Sequence, residues 1–312
     1  MQSVSDSVLR RKKSMKEIVQ MLLVVMVVSQ LATCANIRDT AGAILHGQGV
    51  LWKIEKKDLP PSYIFGTMHV SDERVTQLPA EVEQAFIHSR HFVMEMLLTP
   101  RAMDIITQAS YFQDGHSLKQ VMQADDFQRL SLLLHDHFQL PEQVFNALQP
   151  WAVLILLSTQ SQDVVSDQVL DRVLYQRAKT RGMAMYGLET PQQQLAVMGG
   201  LAIDEQVWLL NQAVARFPQL AANLQRMTTL YLQRDVAGVM TLQQQQMDAE
   251  SDIDDRFLYR LLDQRNAAMA RQIDVLLQQG SLCIAIGALH LPGESGVLHL
   301  LERQGYTISV VY

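Results

Sequence analysis

Cysteine is scarce in this chain. Only Cys34 and Cys283 occur among 312 residues, so no disulfide framework can carry the fold. Charge is sparse as well, at 19% of residues, with a net value of -6 and a pI near 5.8. No Lys/Arg face follows the first sixteen residues, which excludes a surface built for a phosphate backbone, and nucleic acid is not an expected partner. Long apolar runs are missing apart from one near the N-terminus, so a multi-span membrane protein is excluded. The signatures HExxH, CxxC and GxSxG and a glycine-rich phosphate loop are all absent, which removes the usual zincin, zinc-ribbon, serine-hydrolase and P-loop routes to function. What remains is 48% hydrophobic. That content excludes intrinsic disorder and collagen-like repeats, and the length supplies core for one large domain or two small ones.

The N-terminus has its own character. Arg10, Arg11, Lys12, Lys13 and Lys16 precede an apolar core from Met21 to Val28, which extends to Ala32 and closes in Ala32-Thr33-Cys34-Ala35. A basic start, a short apolar core and a small-residue exit make residues 1–35 a secretory signal. The run is short for a transmembrane helix, and a retained N-terminal anchor is the alternative. Basic residues before the core keep the N-terminus inside, so the remaining chain is exported in either case. Cleavage after Ala35 leaves Cys283 as the single cysteine. Reading Leu31-Ala32-Thr33-Cys34 as a lipobox instead makes Cys34 the lipidated end of a cell-envelope lipoprotein. The expected location is therefore periplasmic or lipid-anchored, with any membrane association made through the N-terminus. The segment takes away five basic and two acidic residues, which leaves a net charge of about -9.

Residues 36–312 read as one α/β domain. Tyr63-Ile64-Phe65-Gly66-Thr67-Met68-His69-Val70 is followed by a helical stretch and the strand-like Phe92-Val93-Met94-Glu95-Met96. Cys283-Ile284-Ala285-Ile286-Gly287-Ala288-Leu289-His290-Leu291 is followed by a helical stretch and Tyr306-Thr307-Ile308-Ser309-Val310-Val311. Short apolar runs that end at glycine are buried strands of a mainly parallel sheet, here built from two strand-GxxH-helix-strand units. Between the units, from about 100 to 280, lies a large helical insertion. Apolar spacings of three and four predict helices over 124–138, 167–180, 219–233 and 256–279, with prolines, Pro218 among them, near helix starts. Gly182 leads into one further short strand over 183–187. Gln243 to Gln246 is expected on a solvated helix surface, and Cys283 is expected as a buried small hydrophobe.

The chemistry gathers at the strand ends, where open α/β sheets bind ligands. His69 and His290 each follow a strand end, and Gly66 and Gly287 leave room there for close backbone approach. On neighbouring parallel strands the two imidazoles would share one rim and suit a divalent metal; a lone hydrogen-bonded loop histidine is the bland reading of either. Glu95 ends the apolar run after His69, and a carboxylate there must be paired, metal-bound or protonated. Its bland reading is a salt bridge to an arginine. Glu189 repeats the pattern before Pro191, with helix N-terminus acid as the alternative. Arg265-Asn266 lies within a helix, and Arg265 could clamp a substrate carboxylate, bridge to Glu95 or Glu189, or face solvent. His135-Asp136-His137 is set aside, because alternate residues on a helix point apart.

With these residues in view, the chain resembles the TraB/PrgY/GumN family, which includes the Tiki metalloproteases. The matching stretches are YIFGTMHV at Tyr63 to Val70, the strand ending in Glu95, Gly187-Leu188-Glu189-Thr190, Arg265-Asn266, and GALHLPGESGVLHLLERQGYTISV ending at Val310. The resemblance implies that His69, Glu95 and His290 bind metal or act in catalysis. It also implies the manganese- or cobalt-dependent peptide cleavage of the Tiki relatives. The resulting expectation is an exported metal-dependent hydrolase, a peptidase, with a divalent ion (Mn, Co or Zn) on His69, His290 and Glu95. Glu95 would be a ligand or the general base, with Arg265 among the catalytic residues beside Glu95, His69 and His290, and Gly66, Gly287, Glu189 and Asn266 in support; the partner is a peptide or small-molecule substrate. The alternative is a non-catalytic periplasmic protein that binds a peptide or small ligand in the same cleft.

Overall fold

The computed structural model describes residues 44–158, 169–245 and 251–312. The signal over 1–35 with Cys34, the start of the helix expected at 167, and Gln246 lie outside the described residues. Six strands form one sheet: β1 (Leu51–Glu55), β2 (Ser62–Thr67), β3 (His91–Met94), β4 (Ala184–Gly187), β5 (Leu282–Gly287) and β6 (Thr307–Val310), in the order β4-β3-β5-β2-β1-β6. The four strands β4, β3, β5 and β2 run parallel, while β1 is antiparallel to both β2 and β6. The chain is thus mixed α/β with a mostly parallel sheet. β1 has no counterpart among the strands expected from the sequence, and β6 pairs with β1 rather than with β5.

The central strands β3, β5 and β2 are largely buried, unlike the edge strands β4 and β6. β5 reads Leu-Cys-Ile-Ala-Ile-Gly and is buried at every position, as a strand covered on both faces requires. Alternation then sorts the side chains. Phe65, Phe92, Cys283 and Ala285 join one core, whereas Ile64, Val93, Ile284 and Ile286 join the core on the opposite face. Cys283 is the buried hydrophobe the sequence suggests, with its thiol pKa pushed up to about 12 by burial. The register aligns Thr67 with Gly287 and Gly66 with Ile286, so both GxxH segments leave the sheet side by side.

The longer helices are α1 (Ala80–His88), α2 (Pro100–Ala109), α3 (Ala124–Phe138), α4 (Pro150–Ser158), α5 (Leu170–Thr180), α6 (Pro191–Met198), α7 (Ile203–Leu232), α8 (Val236–Gln244), α9 (Asp252–Leu258), α10 (Gln264–Leu277) and α11 (Val297–Arg303). A π-helical segment, Tyr259–Asp263, joins α9 to α10. α4 is the centre of a third, mostly helical core, and every residue of α4 is buried. It has no polar face and therefore no 3.6-residue apolar period by which a sequence pattern could reveal it.

Two expectations are corrected here. Pro218 does not open a helix but lies inside the 30-residue α7. The ring removes one backbone donor, and packing of α7 along α4 and α3 carries the helix past that gap. Gln243 is not on a solvated face but buried, with both side-chain atoms lacking a hydrogen-bond partner among the described residues, because α8 lays Val236, Val239 and Leu242 into the core beside the sheet. Among the described residues no helix is long and apolar enough to cross a membrane.

Candidate active site at the strand ends

Four of the site residues stand where a parallel strand stops. Glu95 follows the last residue of β3, Glu189 lies two residues beyond β4, His69 two beyond β2, and His290 closes a 3-10 turn, Ala288–His290, that follows β5 directly. Backbone pairing continues past the strand ends, with the Leu188 N–H donating to the Met94 carbonyl (2.9 Å) and the Glu189 N–H to the Glu95 carbonyl (2.8 Å). That pairing carries the two carboxylates out of the sheet together. α10 brings Arg265 and Asn266 over them from the other side of the chain.

Arg265 joins the acids. Its Nε donates to Glu189 Oε1 (2.9 Å), and its Nη2 donates to Glu189 Oε2 (2.6 Å) and to Glu95 Oε2 (2.5 Å). The remaining Glu95 oxygen, Oε1, accepts the Gly287 N–H at 2.7 Å. Gln194 Nε2 adds a bond to Glu189 Oε2 at 3.3 Å. All three charged side chains are buried, so each depends on the others to offset lost hydration. Burial raises the Glu95 pKa, but Arg265, His290 and His69 outweigh it and hold the carboxyl at about 2. Burial opposes the charge on Arg265 too, and Glu95 and Glu189 overcome it, so the guanidinium stays protonated.

The two histidines are held differently. His290 Nδ1 lies 2.6 Å from Asn266 Oδ1, and Asn266 Nδ2 is fixed by the Ser295 carbonyl at 3.0 Å. An amide oxygen can only accept, so Nδ1 carries the proton and Nε2 keeps its lone pair. That Nε2 lies 3.2 Å from Arg265 Nη1 and 3.9 Å from Glu95 Oε1. Burial, and then the neighbouring Arg265, lower the His290 pKa to about 3, which leaves a neutral imidazole. His69 Nδ1 lies 2.5 Å from Asp171 Oδ2, a close contact outside hydrogen-bond alignment. His69 Nε2 is buried with no hydrogen-bond partner among the described residues. Burial works against charge on His69, yet the Asp171 carboxylate outweighs it and raises the pKa.

The structure therefore gathers His290, Glu95, Glu189, Arg265, Asn266 and Gly287 through direct contacts, with His69 close enough to act electrostatically on Glu95 and His290. Gly66 serves packing. A Cβ there would stand 2.7 Å from Leu291 Cδ1 and 3.0 Å from the Ala288 Cα, so the bare glycine lets the second GxxH turn settle onto β2. Asp171, Thr67 and Gln194 are site residues that sequence reasoning missed. Asp171 sits in the first turn of α5, where an acid reads as ordinary helix N-terminus chemistry, and Thr67 lies inside the GxxH segment without any signal of its own.

The donor chemistry suits a divalent cation, with two imidazoles that each face a side-chain oxygen through Nδ1, one anionic carboxylate, and a buried His69 Nε2 without a hydrogen-bond partner among the described residues. Against this, Arg265 already neutralises both glutamates. Among the described residues no group of three His, Cys, Asp or Glu side chains is arranged around a position for an ion.

The model of the TraB/PrgY/gumN family matches residues 50–310. The chain is 27% identical to "Metalloprotease TIKI1" of Xenopus tropicalis, over 89% of this chain and 65% of that protein. It is 27% identical to the Homo sapiens protein of the same name, over 83% and 61% respectively. It is also 22% identical to "Uncharacterized protein YbaP" of Shigella flexneri, over 84% of this chain and 97% of that one. The chain spans less than two thirds of the length of the metalloprotease relatives named here. No solved structure matches it.

Proposed function

Because the chain belongs to the TraB/PrgY/gumN family, we propose that it is a metal-dependent hydrolase that cleaves peptides outside the cytoplasm. The observation that carries this reading is the pair of imidazoles at the ends of adjacent parallel strands, each with Nδ1 against a side-chain oxygen, the His69 Nε2 orphaned, and Glu95 beside them. His69, His290 and Glu95 would hold the ion. Bound there, a divalent ion would supply Lewis-acid polarisation of a peptide carbonyl and generate a nucleophile from water at neutral pH. Glu95 would act as an anionic ligand rather than as the general base. Both its oxygens accept hydrogen bonds, and a carboxyl held at about 2 has little drive to take a proton at neutral pH. Arg265 and the Gly287 N–H orient Glu95, and Asn266 selects the lone pair of His290.

The test is metal content by elemental mass spectrometry and peptide hydrolysis with added Mn(II) or Co(II), with and without chelator, on the purified full chain. His69→Ala and His290→Ala are each expected to lose metal and turnover while keeping the fold. Wild-type metal content in both variants overturns the reading. A second reading, a non-catalytic protein that binds a peptide or small ligand, is favoured by the guanidinium of Arg265 against Glu95, Glu189 and His290 Nε2. Tight peptide binding without turnover in metal-replete protein would select it.

A further inference from the structure

The two histidines are anchored by different chemistry, and the anchor of His69 lies far from either GxxH segment in sequence. Thr67 is the last residue of β2, and its Oγ1 donates to Asp171 Oδ1 at 3.0 Å. The other oxygen, Oδ2, stands 2.5 Å from His69 Nδ1. One carboxylate oxygen of Asp171 is thus hydrogen-bonded to the strand end, and the other stands in close contact, outside hydrogen-bond alignment, with the imidazole that follows two residues later. Asp171 is buried and lies in the first turn of α5, where unpaired backbone N–H groups favour a negative charge. The His290 side of the site works by the same plan with an amide, Asn266, in place of the acid.

We propose that Asp171, held by Thr67, is the positioning residue of His69: it keeps the imidazole proton on Nδ1 and turns the Nε2 lone pair into the site beside Glu95. A carboxylate oxygen can only accept, so an imidazole nitrogen facing it must carry the proton. The opposite nitrogen, Nε2, then keeps its lone pair, and it is buried with no hydrogen-bond partner among the described residues. Carboxylate–histidine pairs of this kind orient metal-ligating imidazoles and raise their basicity. The inference rests on the metal-hydrolase reading only for its effect on metal affinity; the tautomer stands without it.

The test is nitrogen-15 NMR of the histidine side chains in the full chain, recorded above the His69 titration, together with Mn(II) affinity. In the wild type, His69 is expected to carry its proton on Nδ1. In Asp171→Ala the proton is expected to move to Nε2, and Mn(II) affinity to fall by about 10–100-fold. Asp171→Asn, an amide acceptor like Asn266, is expected to restore the Nδ1–H form and part of the affinity. A purely structural role for Asp171 would change unfolding midpoints in both variants and leave the tautomer alone. Thr67→Val removes the hydroxyl that fixes Asp171, is expected to give a smaller change in the same direction, and is read if Asp171→Ala does not fold. An Nε2–H form in the wild type, or an unchanged His69 spectrum in the folded variants, overturns the proposal. If the expected tautomer change occurs in a protein that binds no Mn(II), the positioning role stands and the metal reading fails.

Discussion

At the residue scale, the centre of the molecule is one guanidinium shared by two glutamates. Removing one partner from a buried charge cluster leaves the rest uncompensated, which costs about 3–5 kcal/mol. Arg265→Leu is therefore expected to destabilise the fold by that amount, measured by urea unfolding, because Glu95 and Glu189 would then face each other without a counter-charge. The same residues set the response to acid. Glu95 has its pKa depressed from 4.5 to about 2, so the stability it contributes is present above 4.5 and is lost as pH falls through 2. His290 is depressed from 6.5 to about 3; its neutral form is the native one, so its contribution is also present at high pH and drains away as pH falls from 6.5. Stability is expected to fall continuously between those limits. Glu95→Gln should flatten the lower part of the curve, between 4.5 and 2, and leave the upper part in place. Unfolding midpoints measured across pH in both proteins decide it.

At the scale of elements, the closeness of the two GxxH turns depends on Gly66. A methyl group there meets the Leu291 side chain and the backbone of Ala288, and the backbone cannot yield as a flexible side chain would. Gly66→Ala is expected to cost about 1–3 kcal/mol by overpacking and to weaken metal retention, since the turn that carries His290 must retreat from the end of β2. Unfolding and metal content measured on one preparation test both parts. α4 offers a contrast. Leu154 is fully buried in the helical core, so Leu154→Ala is expected to cost about 2–5 kcal/mol without changing metal affinity at equal folded fraction. An affinity change there would mean that the helical core governs the site.

At the scale of the whole molecule, a mostly parallel sheet presents its strand ends on one side, and helices α5 and α10 bring Asp171 and Arg265-Asn266 to that side. Residues separated by 170 positions, such as Glu95 and Arg265, meet there because each belongs to an element that ends at the same rim. Export would put this rim in contact with envelope substrates. The processed chain is expected to begin near Cys34 or Asn36, read by N-terminal sequencing and intact mass of membrane and periplasmic fractions. A chain beginning at Met1 in the cytosol would contradict export, and a diacylglycerol-sized increment on Cys34 would select the lipid-anchored form.

How much of this was legible in advance depends on the range of the interactions involved. β2, β3 and β5 showed themselves as short apolar runs closed by glycine or by a polar residue, because burial on both faces demands such runs, and β4, only partly buried, showed itself by the helix exit at Gly182 before it. His69, Glu95 and His290 showed themselves by position, since polar residues at the ends of apolar strands stand out against their neighbours. α4 did not, having no polar face, and β1 and Asp171 did not, because their roles come from partners far away in the chain. Local sequence by itself determined the strand ends, the candidate donors and the family to which they point, through patterns a few residues long. Only the tertiary structure decided that Arg265 takes both glutamates, that Asn266 bonds His290 while Asp171 stands against His69, and that Pro218 stays inside α7. Those outcomes depend on which buried charges and faces meet, and the pairing energy of groups brought together from distant segments has no trace in the spacing of either segment alone.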